Sequence, residues 1–246
     1  MPRKPAAKPK PAASRAPEAP LRTQRKIHHL LASREFRGDF QYLLQHNPKT
    51  GFADGDNVLL TEKWDGTTVQ ATNRGFFKRL DTFGAGDPEK HEADEEQRYR
   101  LVPIDLEDAA NAHIRRGAAR YEEVFRRMED GLCCYFEACA DNIGARFSHL
   151  NWADIRVFDF AMNGEYLPFE DAIMKCEELD LPLVAYVDAT LNIPDVVHRL
   201  EQGLEYTDVH APLEGYVIRD TTEQGRIAKI RVNDLPKIYR EPPQDE

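Results

Sequence analysis

The sequence predicts an α+β fold of mainly antiparallel sheets flanked by helices. Three observations predict it. Several short runs are rich in β-branched and aromatic residues and are separated by turn residues. Two or three longer stretches space their apolar side chains as a helix does. Strand and helix signals follow one another without the regular β-α alternation of a doubly wound parallel sheet.

In order along the chain, residues 1–26 are Pro-, Ala- and Lys-rich and hold eight Lys or Arg against one acid, Glu18. Apart from Leu21 they lack Leu, Ile, Val and aromatic residues, so they read as a disordered basic tail that cannot bury enough apolar surface to order itself. Residues 27–46 read as a helix with Ile27, Leu30, Leu31 and Phe36 on its core side. Asn57–Glu62, Thr67–Thr72 and Phe76–Leu80 read as antiparallel strands, the last two joined by a turn at Asn73-Arg74-Gly75. Residues 84–103, with acids at Asp94–Glu96, read as a surface loop. Leu106, Ala110, Ile114, Tyr121, Phe125 and Met128 give 105–129 a helical period, with Asp105 as its N-cap. Strands follow at Leu132–Ala140 and Ile155–Ala161. Helices at Phe169–Leu179 and Asp195–Gln202 then flank a strand at Leu183–Val187, and strands at Gly215–Arg219 and Ile227–Val232 close the chain.

Composition bounds the function class. The chain has 246 residues, 41% of them hydrophobic and 31% charged, which suits one sizeable core. No 18-residue apolar run and no apolar leader occurs, so the expectation is a cytoplasmic protein with no membrane partner. Cys133, Cys134, Cys139 and Cys176 form no CxxC pair and read as small buried thiols in a reducing compartment. The net charge of −10 conceals +7 in residues 1–26 and −17 in the remainder, so nucleic-acid affinity would have to come from the tail or from a local groove. No P-loop, GxSxG or HExxH is present, and Gly84-Ala85-Gly86 lacks the rest of a dinucleotide fingerprint. His28-His29 lacks a matched ligand set and reads as a solvated surface pair.

The chemistry centres on Glu62-Lys63-Trp64-Asp65-Gly66, a lysine between two predicted strands followed by an acid and a glycine. A lysine amine is a nucleophile only when neutral. Its reference pKa of about 10.4 must fall through neighbouring cations, a metal or desolvation. Three further segments put acids in or beside apolar strands: Phe136-Glu137-Ala138, Phe158-Asp159-Phe160 and Glu214-Gly215-Tyr216-Val217. Taken singly, each acid reads as half of a structural salt bridge. Last, Ile227–Val232 alternates so that Lys229 and Arg231 share one face. A lysine, several carboxylates and a terminal pair of cations together suit phosphoryl chemistry, with carboxylates for a divalent ion and cations for phosphates.

This ordered series resembles the covalent nucleotidyltransferase superfamily, which comprises RNA ligases, DNA ligases and mRNA capping enzymes. The resemblance covers about residues 55–235, and nick-sealing ATP-dependent RNA ligases fit best. It implies an ATP-grasp-like adenylation domain over 27–240. Lys63 would be the nucleophile that forms lysyl–AMP. Glu62 would lie beside the adenine, Asp65 and Gly66 near the ribose, and Arg79 at the ribose or phosphates. Glu137 would serve the ribose or metal, Phe158 would stack on the purine, and Glu214 would bind metal. Lys229 would contact the α-phosphate, with Arg231 beside it. ATP and Mg2+ or Mn2+ are the implied cofactors, and RNA, as a nicked duplex, the implied partner. Only 14 residues follow Val232, so no C-terminal OB-fold is expected, and a separate substrate-binding protein or the tail would supply grip. Thr68 stands where such ligases often have asparagine, no glycine precedes Glu137, and Arg231 replaces a lysine. A DNA-nick ligase, a GTP-using capping enzyme and a non-catalytic nucleic-acid-binding scaffold of the same fold remain open alternatives.

Overall fold

The computed structural model describes residues 27–36, 38–81, 99–140, 153–202 and 214–239. The basic segment 1–26 and the acids Asp94–Glu96 lie outside the described residues. From the N-terminus the strands are β1 (His28–His29), β2 (Leu31–Phe36), β3 (Asp39–His46), β4 (Asn57–Lys63), β5 (Thr67–Thr72), β6 (Gly75–Asp81), β7 (Tyr99–Pro103), β8 (Leu132–Ala140), β9 (Ala153–Met162), β10 (Glu165–Tyr166), β11 (Tyr186–Thr190), β12 (Gly215–Asp220) and β13 (Ile227–Arg231). The helices are α1 (Ala112–Ala118), α2 (Glu122–Arg127), α3 (Phe169–Leu179) and α4 (Ile193–Glu201).

Two sheets carry the fold. One has the order β1-β13-β12-β4-β11 and the other β10-β9-β8-β5-β6-β7, while β2 and β3 form a separate hairpin. Among the paired strands all ladders are antiparallel except β1 on β13. Each sheet buries one face in its own core. Val69, Ala71, Phe136, Ile155 and Phe160 of the six-stranded sheet pack with Ile114, Phe125 and Ala172 from the helices. Leu60, Tyr216, Ile218 and Ile230 of the five-stranded sheet pack with Val196, Val197 and Leu200 of α4. Alternation turns the other faces toward each other. There Arg219 on β12 donates to both carboxylate oxygens of Asp159 on β9, at 2.9 and 3.2 Å, and to the Phe158 carbonyl at 3.0 Å. Both residues are buried, so this bidentate pair locks sheet to sheet.

Several expectations needed correction. Residues 27–46 are strands, not a helix. Ile27, Leu30 and Leu31 fit helical spacing, yet so short an apolar run does not discriminate, and long-range bonds decide it. The Leu30 amide donates to the Lys229 carbonyl at 2.7 Å, and the hairpin reverses at Gly38, whose φ is +83°. Residues 105–129 form α1 and α2 interrupted by 3-10 turns at Ala109–Asn111 and Ala119–Tyr121 rather than one helix. Its cap is Asp108, which accepts from the Ala110 amide, while Asp105 turns back to accept from Glu107. Gly117 is also forced small, since a Cβ there would stand 2.8 Å from the Asp154 carbonyl. Residues 99–103, read as loop, form β7. The strand expected at Leu183–Val187 lies three residues later as β11, an edge strand whose alternating half-exposure gives little apolar signal. Leu183 makes only an isolated bridge to Val157. The four cysteines are buried and free, as expected. Among the described residues no helix is long and apolar enough to cross a membrane.

The Asp159–Arg219 pair generates a stability prediction. Asp159→Ala strands a buried guanidinium and is expected to cost about 3–5 kcal/mol in urea unfolding. A change near zero would mean that the pair does not join the sheets.

Candidate active site

The mouth of the space between the sheets is built by three strand ends. Gly215 at the start of β12 pairs with Lys63 at the end of β4 on one side and with Arg231 at the end of β13 on the other. A Cβ on Gly215 would stand 2.0 Å from the Ile230 carbonyl oxygen, so only glycine allows the approach. Glu214, just before it, donates its amide to the Lys63 carbonyl at 2.9 Å, and its own carbonyl accepts from Val232 at 2.8 Å. The Glu214 side chain is thereby held over Lys63, whose Nζ donates to Glu214 Oε2 in a short contact. Arg231 Nη1 approaches the other oxygen at 3.8 Å.

The facing sheet supplies Glu137 from the middle of β8. Its Oε1 accepts from the Gly66 amide at 3.1 Å and its Oε2 from the Thr68 hydroxyl at 2.9 Å. Gly66 has to be glycine for the same reason as Gly215, since a Cβ would meet the Ala138 carbonyl at 2.5 Å. Thr68, the departure from the asparagine pattern, thus has a definite task. Burial pushes the Glu137 carboxyl up to about 7, with Glu214 adding to the rise and Lys63, Thr68 and Gly66 opposing it. Asp65 is half-buried beside Gly66, and its carbonyl accepts from the Cys139 thiol at 3.9 Å.

On β13, Lys229 lies across from Val217 on the Lys63 face. Burial first, and then the like charges of Lys63 and Arg231, pull its pKa below the ordinary lysine range. Arg231 is aimed by Asp234, which accepts from its backbone amide at 3.0 Å and from Nη2 at 3.1 Å. Burial opposes ionisation of Asp234, but His29 and Arg231 outweigh it and hold the carboxyl down to about 2. His29 Nδ1 lies 3.2 Å from Asp234 and 3.1 Å from the Tyr42 hydroxyl. The expectation of a solvated histidine pair therefore holds for His28 alone; His29 is half-buried in this network.

Other expected site residues sit further out. Phe158 occupies the β9 bulge opposite Tyr135–Phe136, its ring 6.4 Å from that of Tyr135. Bulges of this kind re-aim a side chain. Asp159 is committed to Arg219. Glu62 alternates to the opposite side of β4 from Lys63, where it accepts from the Trp64 indole at 2.9 Å. Its other oxygen has no hydrogen-bond partner among the described residues, and burial raises its pKa. Arg79 is exposed on β6; continuing the Gln70–Phe77 register by two residues brings it level with Thr68 and on the Glu137 face.

Glu137 and Glu214 interact electrostatically beside Lys63. Two hard oxygen donors of this kind fit Mg2+ or Mn2+, whose remaining ligands are waters and phosphates. No group of three or more His, Cys, Asp or Glu converges among the described residues. Sequence reasoning missed Arg219, Asp234, His29 and Tyr42; Arg219 and His29 find Asp159 and Asp234 far along the chain, whereas the Arg231–Asp234 pair, three residues apart, was within reach of local spacing.

No protein-family model matches the chain, and no curated protein matches it. Solved structures do. A Naegleria gruberi RNA ligase mutant with AMP and Mn aligns with a TM-score of 0.55 at 15% identity, covering 86% of this chain and 56% of that one. Another mutant of that ligase, with ATP and Mn, gives 0.51 at 15%, over 85% and 62%. An archaeal ATP-dependent RNA ligase gives 0.51 at 16%, over 87% and 49%. The chain thus spans roughly half to three-fifths of the length of these proteins. What it shares with them is the fold: mixed sheets with few helices, as in ATP-dependent RNA ligases.

The raised Glu137 carboxyl predicts a pH effect. Between its ordinary 4.5 and about 7 the folded protein holds a proton that the unfolded chain has released. Unfolding free energy then falls as pH rises through that window, by on the order of a few kcal/mol. In nucleotide-free and metal-free protein, urea midpoints should decline from pH 4.5 to 7, and Glu137→Gln should flatten the decline. An identical slope in the variant would refute the assignment.

Proposed function

We propose that the chain is an ATP-dependent RNA ligase that works through a lysyl–AMP intermediate on Lys63. The observation that carries the reading is the cluster at Gly215. One lysine is held by Glu214 and lies between Glu137 on one sheet and Lys229 with Arg231 on the other, within a fold shared with RNA ligases solved with AMP or ATP.

In the first step the Lys63 nitrogen forms a bond to the α-phosphorus of ATP, and the bond from that phosphorus to the pyrophosphate oxygen breaks. Positioning and charge stabilisation supply most of the acceleration in such a transfer. Lys63 must first give up a proton, to the Glu214 carboxylate in contact with it and from there to water, and then part from Glu214. Lys229 covers the developing charge at the α-phosphate. Arg231 adds a fixed positive charge; it does not exchange protons, since a guanidinium keeps its charge. Glu137 and Glu214 would hold Mg2+ or Mn2+, which when bound neutralises phosphate charge. Phe158 and Val217, on facing strands, would flank the purine. Asp65 and Arg79 would serve the ribose and phosphates, and Glu62, tied to Trp64, would back the base side. AMP then passes to a 5′-phosphate end of RNA, and a 3′-hydroxyl displaces it to close the strand.

Intact-mass measurement after incubation with Mg2+ and ATP tests the reading. The wild type should gain one AMP, and GTP should give no adduct. Lys63→Ala should gain none, and Lys229→Ala should form the adduct about 100- to 1,000-fold more slowly, the usual cost of removing a charge-stabilising donor. An AMP adduct on Lys63→Ala equal to that on the wild type would sink the mechanism.

A further inference from the structure

We infer that the groove between the β2–β3 hairpin and Lys229 binds the single-stranded end of a polynucleotide and leads it to the active site. The inference rests on the functional reading of Lys63 and Lys229 given above and adds the surface that grips the substrate.

The groove has a volume of about 480 Å³ and includes His28, His29, Phe40, Tyr42, Lys49 and Lys229 in its lining. It is continuous with the active site because Lys229 belongs to both. Among the described residues no Asp or Glu lines it, in a protein whose net charge is −10. The hairpin acids Glu35 and Asp39 are not part of its lining. A second cavity, of about 220 Å³, lies beside the Asp159–Arg219 pair and makes the contrast. Its arginines, Arg219 and Arg226, are already paired with Asp159 and with Asp56 and Asp220. Of these two cavities, the hairpin groove is the one whose lysines face no lining carboxylate.

Its rings form a ladder. Phe40 and Tyr42 meet edge to face at 5.0 Å, and Tyr42 stacks on His29 at 5.2 Å. His29 is in turn the strand partner of Lys229. Tyr42 and His29 are pinned through Asp234, the residue that aims Arg231. The outer rung, Phe40, is 51% exposed, an uncommon position for phenylalanine. Exposed aromatic faces beside cations are what unpaired bases and their phosphates require: the bases stack and the cations follow the backbone. Bases within a duplex are already stacked and cannot use Phe40, and the groove has the dimensions of a small-ligand site rather than a duplex track. The occupant is therefore a single strand, with a base on Phe40 and phosphates at Lys49 and Lys229.

The experiment uses the full chain and a short, fluorescent, 5′-phosphorylated single-stranded RNA, with affinity read by anisotropy across a salt series. Phe40→Ala should weaken binding about tenfold, as loss of one stacked base does, and Phe40→Trp should retain it. Lys49→Glu should weaken binding, and Lys49→Ala should reduce the slope of log affinity against log salt by about 0.7, the value for one phosphate contact on a single strand. Lys175→Glu, on α3 in ion pairs with Glu129 and Glu178 and not part of the groove's lining, is the control and should bind as the wild type does. Equal thermal midpoints establish that the exposed substitutions leave the fold intact. The inference is overturned if Phe40→Ala and Lys49→Glu bind RNA like the wild type, or if a blunt duplex binds more tightly than the single strand and is indifferent to Phe40. Adduct formation by the wild type is read in parallel. Its absence alongside groove-dependent RNA binding would strike the lysyl–AMP reading and leave the groove standing.

Discussion

Close backbone packing at Gly215 governs the arrangement of the rest. Three strand ends from two distant parts of the sequence meet there, and the missing side chain lets β12 approach β13 more closely than any other residue would permit. Because register fixes which side chains share a face, that one approach brings Lys63, Lys229 and Arg231 to the same side of the sheet, and Glu214, just ahead of β12, reaches Lys63 from the strand end. Gly66 repeats the device on the other sheet and delivers its amide to Glu137. The charged groups are thus held by the backbone first and by one another second. Burial first, and then the like charges of Lys63 and Arg231 kept beside it by the rigid frame, lower the pKa of Lys229.

The electrostatics divide into a locked part and an adjustable part. Asp159–Arg219 and Asp234–Arg231 are hydrogen-bonded on several atoms and leave little freedom. Removing one partner of a buried pair strands the other, so both serve as fixed points. Lys63 and Glu214 are instead joined by a single contact, and Glu137 acts on both through charge alone, so these groups retain lone pairs and protons that a bound phosphate or cation would claim. Rigid surroundings with a few convertible contacts at the centre are the arrangement that preorganised sites need.

Much of this was legible in the sequence, for identifiable reasons. Leu132–Ala140 and Phe169–Leu179 were read to the residue, because one is a continuous apolar strand and the other a helix bounded by Pro168 and Asp180. The candidate site residues were found through the order of short segments, each anchored to a strand. The failures lie where local pattern carries little weight. Residues 27–46 have apolar spacing compatible with a helix, and only bonding to β13 makes β1 a strand. β11 is a half-exposed edge whose apolar neighbours, Leu183 and Val184, drew the assignment upstream. Arg219 and His29 gain their meaning from partners that no window of sequence contains, Asp159 for the one and Asp234 for the other. His29 in particular pairs with a residue some two hundred positions away, so its membership in a network was invisible beside His28.

The separation of Lys63 from Glu214, 151 positions along the chain, bears on how the molecule is made. During synthesis β4 leaves the ribosome long before β11 and β12, the strands that flank it. For most of translation its hydrogen-bonding edges are open, and such edges recruit neighbouring chains. Closing so long a loop also slows the search for the native pairing. Lys63 therefore meets its acid partner only once β12 has been made, and a nascent or truncated chain carries the lysine without those surroundings.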